Sequence, residues 1–263
     1  MRTRIGNHLL VAGDCLEFMT AEVPAGVVDA VVTSPPYNLG VDYGHGPAAD
    51  SLQEADYIAW IGKVLAETFR VLKPDGNLFL NVAGSSTRPM TPYSVLTAVL
   101  ASGFRLQNNI AWIKAVDDRG HFKPVNSTRF LHRSWEHVFH LTKSGAVGLD
   151  RLAAGIQYTD KTNIARRGHV GDRRCRGNTW FVPMPTTQGR GVGEHPAPFP
   201  VEVARRCLQL CGQGGMVLDP FAGSGTVALA ASELGWCSVG VDISEDYVRG
   251  AVARVLEATT AAA

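Results

Sequence analysis

The sequence predicts an α/β fold: a mostly parallel, doubly wound sheet of seven strands with helices on both faces and a small basic insert. Three observations predict it. Short apolar runs alternate with amphipathic stretches along most of the 263 residues. Two of those runs end in special turns, Val27 to Val32 in Thr33-Ser34-Pro35-Pro36-Tyr37-Asn38, and Val217-Leu218-Asp219 in Pro220-Phe221-Ala222-Gly223-Ser224-Gly225-Thr226. Finally, only about 20 residues follow Asp242, enough for one helix, so the strands flanking the second run must come from upstream and both ends of the chain close one sheet. This topology sets the strand ending at Ser34 beside the strand ending at Asp219, at the switch region where open α/β sheets hold ligands.

Taken in order, His8 to Ala12 is a short apolar strand, followed by Gly13-Asp14. Val27 to Thr33 is a second strand, rich in β-branched residues. Glu54 to Leu72 carries Tyr57, Ile58, Ile61, Val64, Leu65, Phe69 and Leu72 at helical spacing and stops at the turn Lys73-Pro74-Asp75-Gly76. Strands follow at Asn77 to Val82, Asn109 to Lys114 and Trp135 to Thr142, with a helix at Pro92 to Ser102 after the first. A helix at Pro200 to Leu210, a strand at Met216 to Asp219, a helix at Gly225 to Leu234, a strand at Cys237 to Asp242 and a helix at Glu245 to Leu256 complete the pattern. The Ala/Thr tail, Ala258 to Ala263, is expected to fray.

The Pro-Pro turn has a chemical reading. Two prolines fix φ, lack N–H donors and push their predecessors toward extended backbone, so local carbonyls can face a flat amine that Tyr37 covers. A plain turn with a packed Tyr is the alternative. The glycine-rich turn reads as a nucleotide-cofactor loop: Gly223 and Gly225 permit close backbone approach, and the helix that follows offers free N–H groups. Gly223-x-Gly225-x-x-Ala228 alone also fits a dinucleotide fingerprint, whereas the absence of Lys after Gly225 disfavours a phosphate-gripping P-loop. Asp242, ending the next strand, is placed to accept from both hydroxyls of a ribose, although an acid there also suits a helix cap.

In this order, the two turns resemble the amino-methyltransferases of DNA that use S-adenosylmethionine, in the permuted subgroup whose catalytic tetrapeptide precedes the cofactor loop. The resemblance includes Gly13-Asp14, Arg70 to Gly76, Trp112-Ile113-Lys114 and His195-Pro196-Ala197-Pro198-Phe199-Pro200, and spans Asn7 to Val255 with its weakest stretch between about 145 and 193. It implies a circularly permuted, Rossmann-like methyltransferase sheet formed by residues 1–144 and 194–263, with a target-recognition insert at 145–193. It further implies that Ser34, Pro35, Pro36 and Tyr37 are catalytic. Asp14 and Cys15 would border the adenine, Asp242 the ribose and Ile243 the adenine ring; Asp219, Phe221, Gly223, Ser224, Gly225 and Thr226, with His195 and Pro196, would hold the methionine end. Asp14 is equally suited to cap a helix from Cys15 to Thr20, and His195 to a structural role.

The exocyclic amine of cytosine or adenine is a poor nucleophile because its lone pair is delocalised into the ring. Ser34 Oγ and the Pro35 carbonyl accepting the amine hydrogens would hold the lone pair toward a sulfonium methyl, with the target nucleotide flipped out of the duplex and stacked on Tyr37. In the family, Ser at the first tetrapeptide position goes with N4 of cytosine and Asp or Asn with N6 of adenine, so Ser34 favours cytosine; a neutral hydroxyl can also donate to ring N3. Asn38 points the other way, toward adenine-modifying relatives. Carbon-5 methylation is disfavoured because no Pro-Cys pair is present.

Composition is compatible with this reading. The net charge is only +1, but residues 151–190 hold eight cations against Asp160 and Asp172, a net +6, which leaves −5 on the rest. Arg166, Arg167, Arg173, Arg174 and Arg176 are the expected phosphate contacts; a solvated loop paired with scaffold acids is the alternative. Five cysteines without a Cys-x-x-Cys pair indicate neither zinc nor a disulfide framework, and Cys207 and Cys211 read as buried small hydrophobes. Trp112, Trp135 and Trp180 read as core or insert-anchoring aromatics. No apolar run of about 18 residues or signal-like start is present, so a cytoplasmic protein is expected. The expected partners are double-stranded DNA, a second copy of the chain and a cognate restriction endonuclease. Three rival classes remain: a protein or RNA amine methyltransferase, whose cofactor loop usually comes first; a nicotinamide oxidoreductase, which would bind NAD; and a non-catalytic DNA-binding module, which would explain the insert alone.

Overall fold

The computed structural model describes residues 1–40, 50–114, 128–131, 133–162, 164, 171–184 and 199–261. Eleven strands occur among them: β1 (Arg2–Ile5), β2 (His8–Ala12), β3 (Val28–Thr33), β4 (Leu72–Val82), β5 (Arg105–Ile113), β6 (Trp135–Thr142), β7 (Ile156–Gln157), β8 (Arg173–Arg174), β9 (Thr179–Phe181), β10 (Met216–Asp219) and β11 (Cys237–Asp242). The helices are α1 (Cys15–Glu22), α2 (Glu54–Val71), α3 (Thr91–Ala101), α4 (Val201–Leu210), α5 (Thr226–Glu233) and α6 (Glu245–Ala261).

The main sheet runs β1-β2-β11-β10-β3-β4-β6-β5-β9. Neighbours from β2 to β4 are parallel, while β6 runs antiparallel to both β4 and β5. The seven strands expected from sequence are its interior, and the count is corrected to nine by two edge strands. β1 returns antiparallel on β2, and β9 adds parallel to β5. Apolar periodicity could not reveal β9, because three residues carry no period. As deduced from chain order, β10 pairs with β3, Val217 and Leu218 lying opposite Ala30 and Val31.

Strand alternation divides the interior. On one face Leu9, Val11, Val31, Leu78, Leu80 and Leu141 pack with α1, α2 and α3; on the other, Ala30, Val32, Phe79, Val138 and Val217 pack with α4 and α5. A third cluster joins Ile5 and Leu10 to Val248, Ala251 and Val255 of α6. Helix α2 buries Tyr57, Ile61, Val64, Leu65, Thr68 and Val71, and its first turn carries Glu54 and Asp56, which suit the positive end of the helix dipole.

Other expectations change. Lys73 to Gly76 do not break the chain between helix and strand: Leu72 pairs with Val28 and Asn77 with Ala30, so the four residues bulge out of β4. The tail is helical through Ala261, because Val255 anchors it in the core. Trp112 and Trp180 are buried, whereas Trp135 is 43% exposed and is not a core residue. Within 145–193, β7 and β8 form a two-stranded ribbon, and Trp180 and Val182 enter the second core.

Candidate active site

All the strand ends that matter meet at one edge of the sheet. Parallel pairing brings the carboxyl ends of β2, β11, β10, β3 and β4 into a row, and the antiparallel β6 contributes its amino end, beside the carboxyl end of β5. Asp14, Asp242, Asp219, Ser34, Asn81, Glu136 and Lys114 therefore succeed one another along the edge.

The seam between its halves is a hydrogen bond. Thr33 Oγ1 donates to Asp219 Oδ1 at 2.7 Å, and Phe221 N donates to the same oxygen at 3.1 Å. Asp219 is buried, its Oδ2 has no hydrogen-bond partner, and burial raises its carboxyl pKa to about 7 despite those two donors. A buried carboxylate oxygen without a donor is an acceptor waiting for a cation, which the α-ammonium group of a methionine-derived donor would supply.

The loop after Asp219 holds two glycines with positive φ, Gly223 at 47° and Gly225 at 75°. At Gly225 a close neighbour adds to the requirement: a Cβ there would lie 2.8 Å from Ala251 Cβ of α6. Asp242 clamps the loop, Oδ2 accepting from Gly223 N at 2.8 Å and Oδ1 from Ser244 N at 2.9 Å. A carboxylate oxygen can accept more than one hydrogen bond, so loop and ribose can share the group. Ser224 faces α6 instead, where Arg254 Nη1 donates to its Oγ at 2.8 Å, and Thr226 is buried at the start of α5. Ile243 is 59% exposed beside the clamp, an apolar surface suited to a ring. Asp14 N-caps α1, accepting from Leu16 N and Glu17 N, and the buried Cys15 thiol is pushed up to about 12 by burial and by Asp14. Trp60 meets Phe221 edge-on at 5.6 Å.

In the other half, Ser34 Oγ lies 2.9 Å from Tyr37 Oη. Tyr37 Oη also donates toward Asn81 Oδ1 at 3.0 Å and Glu136 Oε2 at 3.1 Å. Asn81 Nδ2 donates to Glu136 Oε2 and to the His137 carbonyl, both at 3.0 Å, and Lys114 pairs with Glu136 Oε1. Pro35 is buried, and the Pro36 carbonyl accepts from Tyr57 Oη at 2.9 Å. Asn38, at φ 58°, is a clasp: its side chain exchanges hydrogen bonds with the backbone of Leu52, and its N–H donates to Asp50. Sequence reasoning does not single out Asn81 and Glu136. Asn81 leaves a signal, a polar residue between Leu80 and Val82 in an apolar run, whereas Glu136 shares its strand with His137, His140 and Thr142 and does not stand out.

His195, Pro196, Arg166 and Arg167 lie outside the described residues. Among the remaining insert cations, Arg173 donates to the Gly155 carbonyl, Arg176 to the Ala154 carbonyl, and Lys161 pairs with Asp172, whereas Arg174 is exposed. Cys207 is fully buried and Cys211 half-buried, as small hydrophobes should be, and burial raises both thiol pKa values. No cluster of three or more potential metal ligands occurs among the described residues.

A family model described as DNA methylase matches residues 28–253. The Type II methyltransferase M.ScaI of Streptomyces caespitosus is 30% identical over 259 residues, 94% of this chain and 81% of the relative. Among solved structures, the PvuII DNA methyltransferase (cytosine-N4-specific) superposes with a TM-score of 0.73 at 19% identity, over 97% of this chain and 91% of its own. TTHA0409 of Thermus thermophilus, complexed with S-adenosyl-L-methionine, does so at 0.65 and 25% identity, over 95% of each chain.

Proposed function

Because the chain belongs to the N6/N4 DNA methylase family and is an S-adenosylmethionine-dependent DNA methyltransferase, we propose that it modifies N4 of a cytosine flipped from a specific site in double-stranded DNA. The observation that carries the reading is the Thr33–Asp219 seam, which joins an amine-accepting turn to a cation-accepting loop within one sheet edge.

In this reading Asp219, Phe221 and the backbone of Gly223 and Gly225 hold the methionine end of the cofactor, with His195 and Pro196, and Asp242 and Ile243 hold the adenosine, bordered by Asp14 and Cys15. The cofactor supplies an electrophilic sulfonium methyl. Ser34 Oγ and the Pro35 carbonyl accept the amine hydrogens and aim its lone pair, and Tyr37 covers the base. The permuted motif order, the recognition role of 145–193 with its arginines, a cytoplasmic setting, a second copy of the chain and a cognate endonuclease belong to the same proposal. Ser34 at the head of the tetrapeptide supports cytosine over adenine, while Asn38, which Leu52 and Asp50 engage in the loop, keeps its association with adenine-modifying relatives.

The test is expression in a methylation-free host, followed by digestion of the DNA to nucleosides and mass spectrometry. N4-methylcytosine is expected; N6-methyladenine alone ends the cytosine reading.

A further inference from the structure

Five polar side chains fill the base half of the edge, and their donors and acceptors can be counted. Glu136 is an acceptor only; its side chain is 10% exposed and Lys114 occupies Oε1. Both amide hydrogens of Asn81 are engaged, one by Glu136 Oε2 and one by the His137 carbonyl, so Asn81 Oδ1 is fixed facing the two hydroxyls. Among the described residues Tyr37 Oη, with one proton to give, lies within reach of the acceptors Asn81 Oδ1 and Glu136 Oε2. It therefore spends that proton on them and receives the proton of Ser34, 2.9 Å away; the remaining acceptor for Ser34, Asn81 Oδ1, is at 3.4 Å. By either route an acceptor inside the protein stands within reach of the Ser34 proton, which would leave the lone pairs of Ser34 for the amine.

We infer that Glu136, held by Lys114 and acting through Tyr37, is a positioning residue that sets the Ser34 hydroxyl as a pure acceptor for the target amine. The inference rests on the assignment of Ser34 to the amine and deepens it. A freely rotating hydroxyl can donate to the ring nitrogen beside the amine while it accepts from the amine, and a hydrogen bond given to that nitrogen draws the amine lone pair further into the ring and away from the methyl. The network removes that donation, and with it the expectation that Ser34 donates to cytosine N3. A buried carboxylate is expensive to keep, and Lys114 together with the two donors at Oε2 offsets that cost.

The test is a double-mutant cycle on single-turnover methyl transfer from labelled S-adenosylmethionine to DNA. Glu136→Gln, whose amide can present a donor to Tyr37, should lower the transfer rate about tenfold or more while cofactor and DNA dissociation constants stay within about twofold. In a Tyr37→Phe background the same change should have less than about a twofold further effect, because the linking hydroxyl is gone. Glu136→Asp, which keeps the charge, should recover part of the rate, and serves if the Gln protein folds poorly. Additive losses in the cycle, or equal losses in binding and rate, overturn the inference. The wild-type rate separates the two claims: no transfer to DNA at all removes the Ser34 assignment and the inference together, whereas transfer without coupling removes the inference alone.

Discussion

Thr33 and Asp219 stand 186 residues apart in sequence, yet the hydroxyl of the first donates to the carboxylate of the second across the β3–β10 pair. Each is the last residue of its strand, so this bond sets the spacing between the two motifs.

Thr33→Val removes the donor and keeps the shape. Asp219 is then left with the Phe221 N–H alone, and a loss of about 1–3 kcal/mol in urea unfolding is expected from a buried group deprived of a partner. Methyl transfer should fall more than cofactor affinity, since the seam relates the two halves. An unchanged unfolding midpoint would show that the bond has no structural weight.

Asp219 also predicts a pH dependence. Its carboxyl titrates near 7 in the fold against 3.8 as the ordinary value, so its folded form holds a proton over that interval. That contribution to stability is complete below about pH 4 and is lost as pH rises through 7. Cofactor binding to the ionised form should then weaken up to about tenfold per pH unit below 7. Equilibrium binding between pH 5.5 and 8 should show this slope in the wild type and a weak, pH-independent affinity in Asp219→Asn.

His140 acts in the opposite direction. It is buried, stacked on Phe79, and placed between Asn77 Oδ1 at Nε2 and Asn108 Nδ2 at Nδ1, which requires the neutral ring protonated at Nε2. Burial lowers its pKa to about 4 from 6.5. Its contribution is present above pH 6.5 and is lost as pH falls through about 4. Asp219→Asn should therefore steepen the gain of stability from pH 4 to 6.5, measurable by denaturant titration at each pH, because it removes the opposing carboxyl while His8 and His137, whose pKa burial also lowers, act with His140.

Gly225→Ala places a Cβ 2.8 Å from Ala251 Cβ on a backbone at φ 75°. A destabilisation of about 1–3 kcal/mol and a weaker cofactor affinity are expected. Ala251→Gly should restore part of the stability, because it relieves the contact but not the dihedral. Full restoration in thermal unfolding would show that the strain is steric alone.

Arg174 gives the cleanest test of the basic segment, since Arg173 and Arg176 also hold backbone carbonyls. Arg174→Glu should weaken DNA binding and reduce the slope of log affinity against log salt by about 0.9 for one lost phosphate contact. Unfolding should be unaffected. An unchanged slope assigns Arg174 to the solvent face.

Much of this was legible in the sequence. Seven strand segments were readable because strands covered on both faces are nearly continuous apolar runs, and the two turns were readable because proline and glycine act on their own backbone. β1 and β9 were not, being edge strands of four and three residues whose pairing is decided by distant partners. The structural place of Asn38 was hidden for a similar reason: its partners Leu52 and Asp50 lie 14 and 12 residues away in the chain.

By itself the sequence determined the fold class, the order of the two motifs and the chemistry each could carry, because backbone preference and apolar period act within a few residues. Only the tertiary structure decided that Asn81, Glu136 and Lys114 converge on Ser34, and that Thr33 meets Asp219. Those contacts arise from strand order and register, which bring residues tens to hundreds of positions apart within hydrogen-bond reach.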